Sequence, residues 1–183
     1  MNFEAVFRLL LGHFDKQKIH FALIGGFALH ASGYMRTTQD IDFLVADEDV
    51  GKVTTILLSL GYEILHQGPD VTNFTGKLRE LGRVDFLHAR RSYTRKMLER
   101  AIEHAVLKGK FKVKTILPED IIGLKVQASA NDKNRYAQDM IDIETLMRLH
   151  RGQLNLELVR EYFTLFNKQK ELEDILIKAG YAR

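Results

Sequence analysis

The stretch ALIGGFALHASGYMRTTQDIDFLV, residues 22–45, decides how the chain is read. An apolar run ends in Gly25-Gly26, and a second apolar run carries Asp40 and Asp42, although aspartate is ordinarily depleted from strands. HFALI, short and bounded by the glycines, predicts a buried strand entering a turn, and GFALHASG predicts about two helical turns closed by Gly33. Such a strand-turn-helix leaves backbone N–H groups bare at a helix N-terminus, where the dipole also favours an anion. Glycine there keeps side chains from holding a phosphate off the backbone. The alternative is a tight turn that needs positive φ. In DIDFLVA, Asp40 and Asp42 leave the same strand face with Cα atoms about 7 Å apart, while Ile41 and Phe43 leave by the other. Two carboxylates so placed repel unless a cation neutralises them, and oxygen ligands favour Mg²⁺. The alternative pairs one aspartate with a lysine and makes the other a cap.

Asp85, in RVDFL, is again an acid on the polar side of an otherwise apolar strand. If that strand neighbours DIDFLVA, three carboxylates converge beside the glycine turn. That arrangement suits one or two Mg²⁺ ions bridging the phosphates of a nucleotide. The sequence contains neither G-x-x-x-x-G-K-[ST] nor G-x-G-x-x-G, so P-loop and dinucleotide readings have no support.

Gly25-Gly26, a gap of thirteen residues, Asp40-Ile41-Asp42 and the later Asp85 resemble the DNA polymerase β-like nucleotidyltransferase superfamily. The form of 22–45 is most similar to its minimal bacterial branch, which includes AbiEii-type toxin nucleotidyltransferases. The resemblance implies a mixed sheet flanked by helices, and transfer of a nucleoside monophosphate from a Mg²⁺-bound NTP, such as ATP, to a hydroxyl acceptor. It leaves the acceptor open among RNA or tRNA, a protein hydroxyl and a small molecule, and implies metal ligation and catalysis by Asp40, Asp42 and Asp85, and nucleotide binding by Gly25, Gly26 and Arg36, the last preceding the acids together with Thr38. It also implies a possible antitoxin partner.

Around this centre the chain predicts helices at 3–17 and 48–60, the latter N-capped by Asp47, and strands at YEILHQ, VTNFTGKL and RVDFLHA. A basic helix is predicted over 93–107 and a strand over 110–116. After Pro118 every segment is helical: 119–131, 135–150, 155–166 and 168–179. The expected fold is α/β (α+β), with a mixed-sheet nucleotidyltransferase core at 1–117, a helical lobe at 118–183 packed on it, and a ligand cleft between them. In PEDIIGLKVQASAN, Lys125 falls inside the apolar arc, either snorkelling to the surface or reaching a phosphate. Asp139 stands at the margin of the next helix's apolar face and Asp142 further out, to be solvated or paired with a Lys or Arg. LKVQASANDKNRYAQDMIDIETL resembles the Lys-then-Asp segment of the toxin-like branch, which implies a nucleotide-binding role for Lys125 and Asp139.

The 183 residues are ordinary for a folded chain, 45% apolar and 28% charged, and hold no cysteine, which excludes a thiolate nucleophile and a Cys-ligated zinc site. The seven histidines include no i, i+4 pair, and only His88, close after Asp85, draws attention. No Ser-His-acid arrangement is identifiable. The N-terminus lacks a secretory pattern and no apolar run is long enough to span a bilayer, so a cytoplasmic protein with no membrane partner is expected. Residues 90–114 hold nine Lys or Arg against Glu99 and Glu103, a net +7 that leaves −4 for the rest of a chain of net +3. This suggests an RNA or tRNA acceptor, or a non-catalytic nucleotide- or RNA-binding module on the same fold. Equally, KGKFKVK sets its lysines on one strand face, a defence suited to an edge strand.

Overall fold

The computed structural model describes residues 1–181, which divide into two compact units. The first, Met1–Ala31 with Met35–Ile116, opens with α1 (Phe3–Lys16), whose Val6, Phe7, Leu10 and Phe14 recur at helical spacing and are buried. Asn2 caps the helix, its side chain accepting from Ala5 N at 3.2 Å. β1 (Phe21–Leu23), α2 (Gly25–Ala31) and β2 (Asp40–Ala46) follow. A single 3₁₀ turn, Asp47–Asp49, leads into α3 (Val50–Ser59), which ends before Gly61 at φ +86°. Then come β3 (Tyr62–Gln67), β4 (Val71–Gly76), β5 (Arg83–Ala89), α4 (Ser92–Arg100), β6 (Ile102–Val106) and β7 (Phe111–Thr115). The strands form one mixed seven-stranded sheet in the order β3-β4-β5-β2-β1-β7-β6, as the α+β expectation required.

Alternation along β2, β4 and β5 separates the two sheet faces. Ile41, Phe43, Phe74, Val84 and Phe86 join the buried side chains of α1 and α3 in one core. Phe43 and Phe86 stack at 5.3 Å, and Phe14 meets Phe43 edge-on at 5.6 Å, each such pair adding about 0.5–1.5 kcal/mol beyond area burial. Tyr62 donates to Leu81 O at 3.1 Å, and burial pushes its phenol up to about 12.

Three sequence expectations are corrected. Asp47 does not cap α3; its carboxylate reaches Arg90 at 3.6 Å, and the helix begins only at Val50. The helix predicted over 93–107 stops at Arg100. Ala101 turns extended, and Ile102–Val106 instead pairs antiparallel with Phe111–Thr115 through a turn in which Leu107, Lys108 and Gly109 all have positive φ. Cross-strand bonding thus overrides helical propensity over five residues. The lysine-bearing strand β7 lies inside the sheet between β1 and β6, so β6 is the edge. The alternation of Lys112 and Lys114 outward with Val113 inward holds.

The second unit comprises Ser32–Tyr34 and the chain from Leu117 onward. It contains α5 (Pro118–Asn131), α6 (Tyr136–Leu149), α7 (Leu156–Leu165) and α8 (Gln169–Lys178). Gly123 lets α5 and α7 approach closely, since a Cβ there would lie 2.7 Å from the Tyr162 ring. Tyr162 in turn donates to Asp120 Oδ1 at 2.6 Å. Among the described residues no helix is long and apolar enough to cross a membrane.

Candidate active site

β2 and β5 run parallel in a register that sets Asp42 opposite Asp85 and Asp40 opposite Arg83. Residues directly opposite share a face, so the three acids meet on the side of the sheet away from the phenylalanine core. Asp40, Asp42 and Asp85 each offer a carboxylate oxygen within 4.8 Å of the others, all three half-buried. Such a group has the all-oxygen donor chemistry that could hold a divalent cation. Its like charges are partly met by Arg83, whose Nε donates to Asp85 Oδ1 at 3.0 Å. That bond, against the opposing effect of burial and aided by the charges of Asp85, Asp40 and Asp42, holds the guanidinium pKa above its ordinary value. Thr38 Oγ1 donates to the Asp40 carboxylate at 3.1 Å, fixing the first acid's rotamer.

The glycine turn lies against the same acids. Gly25 has φ +58°, and a Cβ on it would stand 2.0 Å from Asp42 Oδ2; one on Gly26 would stand 2.5 Å from Thr38 Cβ. Glycine is therefore required by close approach as well as by backbone conformation. Ile24 N donates to Asp42 O at 3.0 Å, which ties the end of β1 to the acid strand. The first N–H groups of α2, from Gly25 and Gly26, lack intrahelical acceptors by position. Arg36 is exposed in the intervening loop, and its carbonyl accepts from His30 Nε2.

Lys125, Asp139 and Asp142 lie in the second unit and bind one another. Lys125 Nζ donates to Asp139 Oδ1 at 3.1 Å and to Asp142 Oδ2 at 2.5 Å, with Lys125 7%, Asp139 2% and Asp142 0% exposed. Asp142 also accepts from Tyr34 at 3.1 Å and Gln138 at 2.9 Å. Asp142 is thus the most enclosed acid of the group, whereas its sequence position suggested the outer helix face. His88 is committed too, its Nδ1 donating to Pro69 O at 3.1 Å and its Nε2 accepting from Thr72 at 3.0 Å. The basic segment spends much of its charge internally: Arg90 on Asp47, Arg91 on Asp70, Lys110 on Glu4 and Lys112 on Glu103.

Two residues escaped the sequence reading. Arg83 was visible as the period-two neighbour of Asp85, whereas buried Asp49 accepts from Lys52, three residues on, at 2.6 Å and from His20 N, 29 positions away, at 2.9 Å, and only the first partner is near it in sequence.

A family model described as an uncharacterised nucleotidyltransferase matches residues 2–181. Among solved structures, the antibiotic-resistance factor ANT(2'')-Ia is similar at 18% identity and TM-score 0.64, over 95% of this chain and 97% of that one. The lincosamide antibiotic adenylyltransferase LnuA is similar at 20% identity and TM-score 0.53, over 80% and 97%. A nucleotidyltransferase from Thermotoga maritima, TM1012, is similar at 11% identity and TM-score 0.56, over 76% and 92%. No curated protein matches the chain.

Proposed function

The chain belongs to the nucleotidyltransferase family matched over residues 2–181, and on that premise we propose that it moves a nucleoside monophosphate from a Mg²⁺-bound NTP, ATP first among them, to a hydroxyl acceptor. The observation that carries this reading is the convergence of Asp40, Asp42 and Asp85 within 4.8 Å against a turn that only glycine fits. The donor set suits magnesium, being three carboxylates with no nitrogen or sulfur ligand among them. Bound there, the ion would offset charge on the triphosphate.

In the proposed reaction the Asp85 carboxylate orients the acceptor O–H and takes its proton. The acceptor oxygen bonds to the α-phosphorus, the α–β bridging bond breaks, and pyrophosphate leaves. The N–H groups of Gly25 and Gly26 cradle the phosphates, with Arg36 reaching them from the adjoining loop. Lys125 would have to leave two buried carboxylates to touch a nucleotide, so we assign Lys125 and Asp139 to holding the second unit together. The resemblance of residues 22–45 to the AbiEii-type branch supports a toxin-like role with an antitoxin partner, and the lack of cysteine supports a reducing, cytoplasmic setting. The adenylyl-tobramycin complex of ANT(2'')-Ia and the lincomycin complex of LnuA support a small-molecule acceptor instead of RNA.

The test is incubation of the full chain with each α-labelled NTP, Mg²⁺ and a cell extract, followed by fractionation. Label should enter one acceptor fraction and vanish with Asp40→Ala/Asp42→Ala. Label persisting in the double variant refutes the site.

A further inference from the structure

Sheet register extends the acid site sideways. Asp42 stands opposite Asp85, Asp85 opposite Asn73 on β4, and Asn73 opposite His66 on β3, so one row crosses four strands on a single face. At about 4.8 Å per strand the row runs about 14 Å from Asp42 to the sheet edge. A register shift between Ile64 and His66 is what brings His66, and not Leu65, into line with Asn73. The face is open: Val71, Asn73 and Thr75 are half-buried where Thr72 and Phe74 between them are fully buried. Neither Asn73 nor His66 has a side-chain hydrogen bond or ion pair among the described residues, although the amide and imidazole both bond in specific directions.

Resting on the nucleotidyl-transfer reading above, we propose that Asn73 and His66 form the acceptor subsite. They would bind an uncharged or cationic, hydroxyl-rich small molecule that lies across β4 with its reacting hydroxyl at Asp85. The row contains two carboxylates and no lysine or arginine, and Arg83 beside it is bonded to Asp85. A polyanion needs several unspent cations. Here the nearest cation on the face is neutralised by an acid, and Lys77 pairs with Glu63 at 3.5 Å. Amide, imidazole and carboxylates suit hydroxyl and ammonium groups, each able to accept from an O–H or N–H.

The experiment uses the full chain with α-labelled ATP, Mg²⁺ and four probes: tobramycin, lincomycin, inositol and an RNA oligonucleotide with a free 3′ hydroxyl. Mg²⁺-ATP binding is measured separately by calorimetry. Label is expected on at least one of the three small hydroxyl compounds and not on the RNA. Asn73→Ala should raise the KM for that acceptor about tenfold, the worth of one hydrogen bond, with the KM for ATP within twofold of the parent. His66→Ala, at an exposed position, should raise the acceptor KM severalfold in the same selective way and serves if Asn73→Ala folds poorly; His66→Gln should restore part of the loss. Label on RNA alone, an acceptor KM unmoved by both variants, or no labelled probe despite intact Mg²⁺-ATP binding overturns the subsite. Absent Mg²⁺-ATP binding overturns instead the nucleotidyl-transfer reading on which it rests.

Discussion

Replacing Lys125 by methionine is expected to destabilise the protein by about 3 kcal/mol. The ammonium sits between Asp139 and Asp142, which are 2% and 0% exposed, and removing one partner of a buried ion pair costs about 3–5 kcal/mol because the remaining charge stays buried. Methionine fills a similar volume, so no cavity penalty adds to this. The residual partners, Tyr34 and Gln138 on Asp142 and Arg135 at 3.4 Å from Asp139, set the cost at the lower end. For a chain of 183 residues, where 1 kcal/mol corresponds to about 2–4 °C, the melting temperature should fall by about 6–12 °C. The assay is thermal unfolding of the full chain beside the triple variant Lys125→Met/Asp139→Asn/Asp142→Asn. The triple should be more stable than the single, since it leaves no uncompensated charge. A single-variant shift under about 2 °C, or a triple no more stable than the single, refutes the reasoning. Weakened ATP binding at unchanged stability would return Lys125 to the nucleotide.

Gly25→Ala should weaken Mg²⁺-ATP binding at least tenfold by calorimetry, because its Cβ would stand 2.0 Å from Asp42 Oδ2 and its φ of +58° costs an L-residue about 1–2 kcal/mol. Unchanged affinity would show that Asp42 need not hold its place. Asp42→Asn should raise the melting temperature in EDTA by relieving carboxylate repulsion, and should abolish the stabilisation that Mg²⁺ gives the parent; a Mg²⁺ response preserved in the variant contradicts the cluster. For Asp49, burial pushes the carboxyl pKa up, but the His20 N–H and Lys52 more than offset it, leaving it below the ordinary value. A lowered folded pKa confers stability that is full above the unfolded value of about 3.9 and is lost as pH falls through the folded one. The stability gap between parent and Asp49→Asn should therefore be widest near neutrality and close in acid; a gap constant with pH would exclude the ionic contribution.

The local pattern carried much of the fold. Apolar spacing marked α1 and the helices after Pro118, and alternation marked β2 and β5. It failed at Ile102–Val106, where strand and helix propensities are close and the pairing with β7 decides. It also failed at Asp47, because capping depends on where the first turn closes and not on residue type alone. Of the two places left open for Asp142, solvated or paired with a Lys or Arg, the structure takes the second, on Lys125. Its full burial was not legible because a helical wheel shows angle around one axis, whereas Tyr34 approaches from 108 positions away.

By itself the sequence determined that glycines precede a pair of acids sharing one face, since period two and backbone freedom are properties of neighbouring residues. Tertiary structure alone decided that Asp85, Asn73 and His66 line up beside Asp42, and that Lys125 faces two carboxylates. Strand register and helix approach are fixed by packing between distant segments, and a one-residue slip of a strand would turn its member of the Asp85, Asn73 and His66 row to the opposite face.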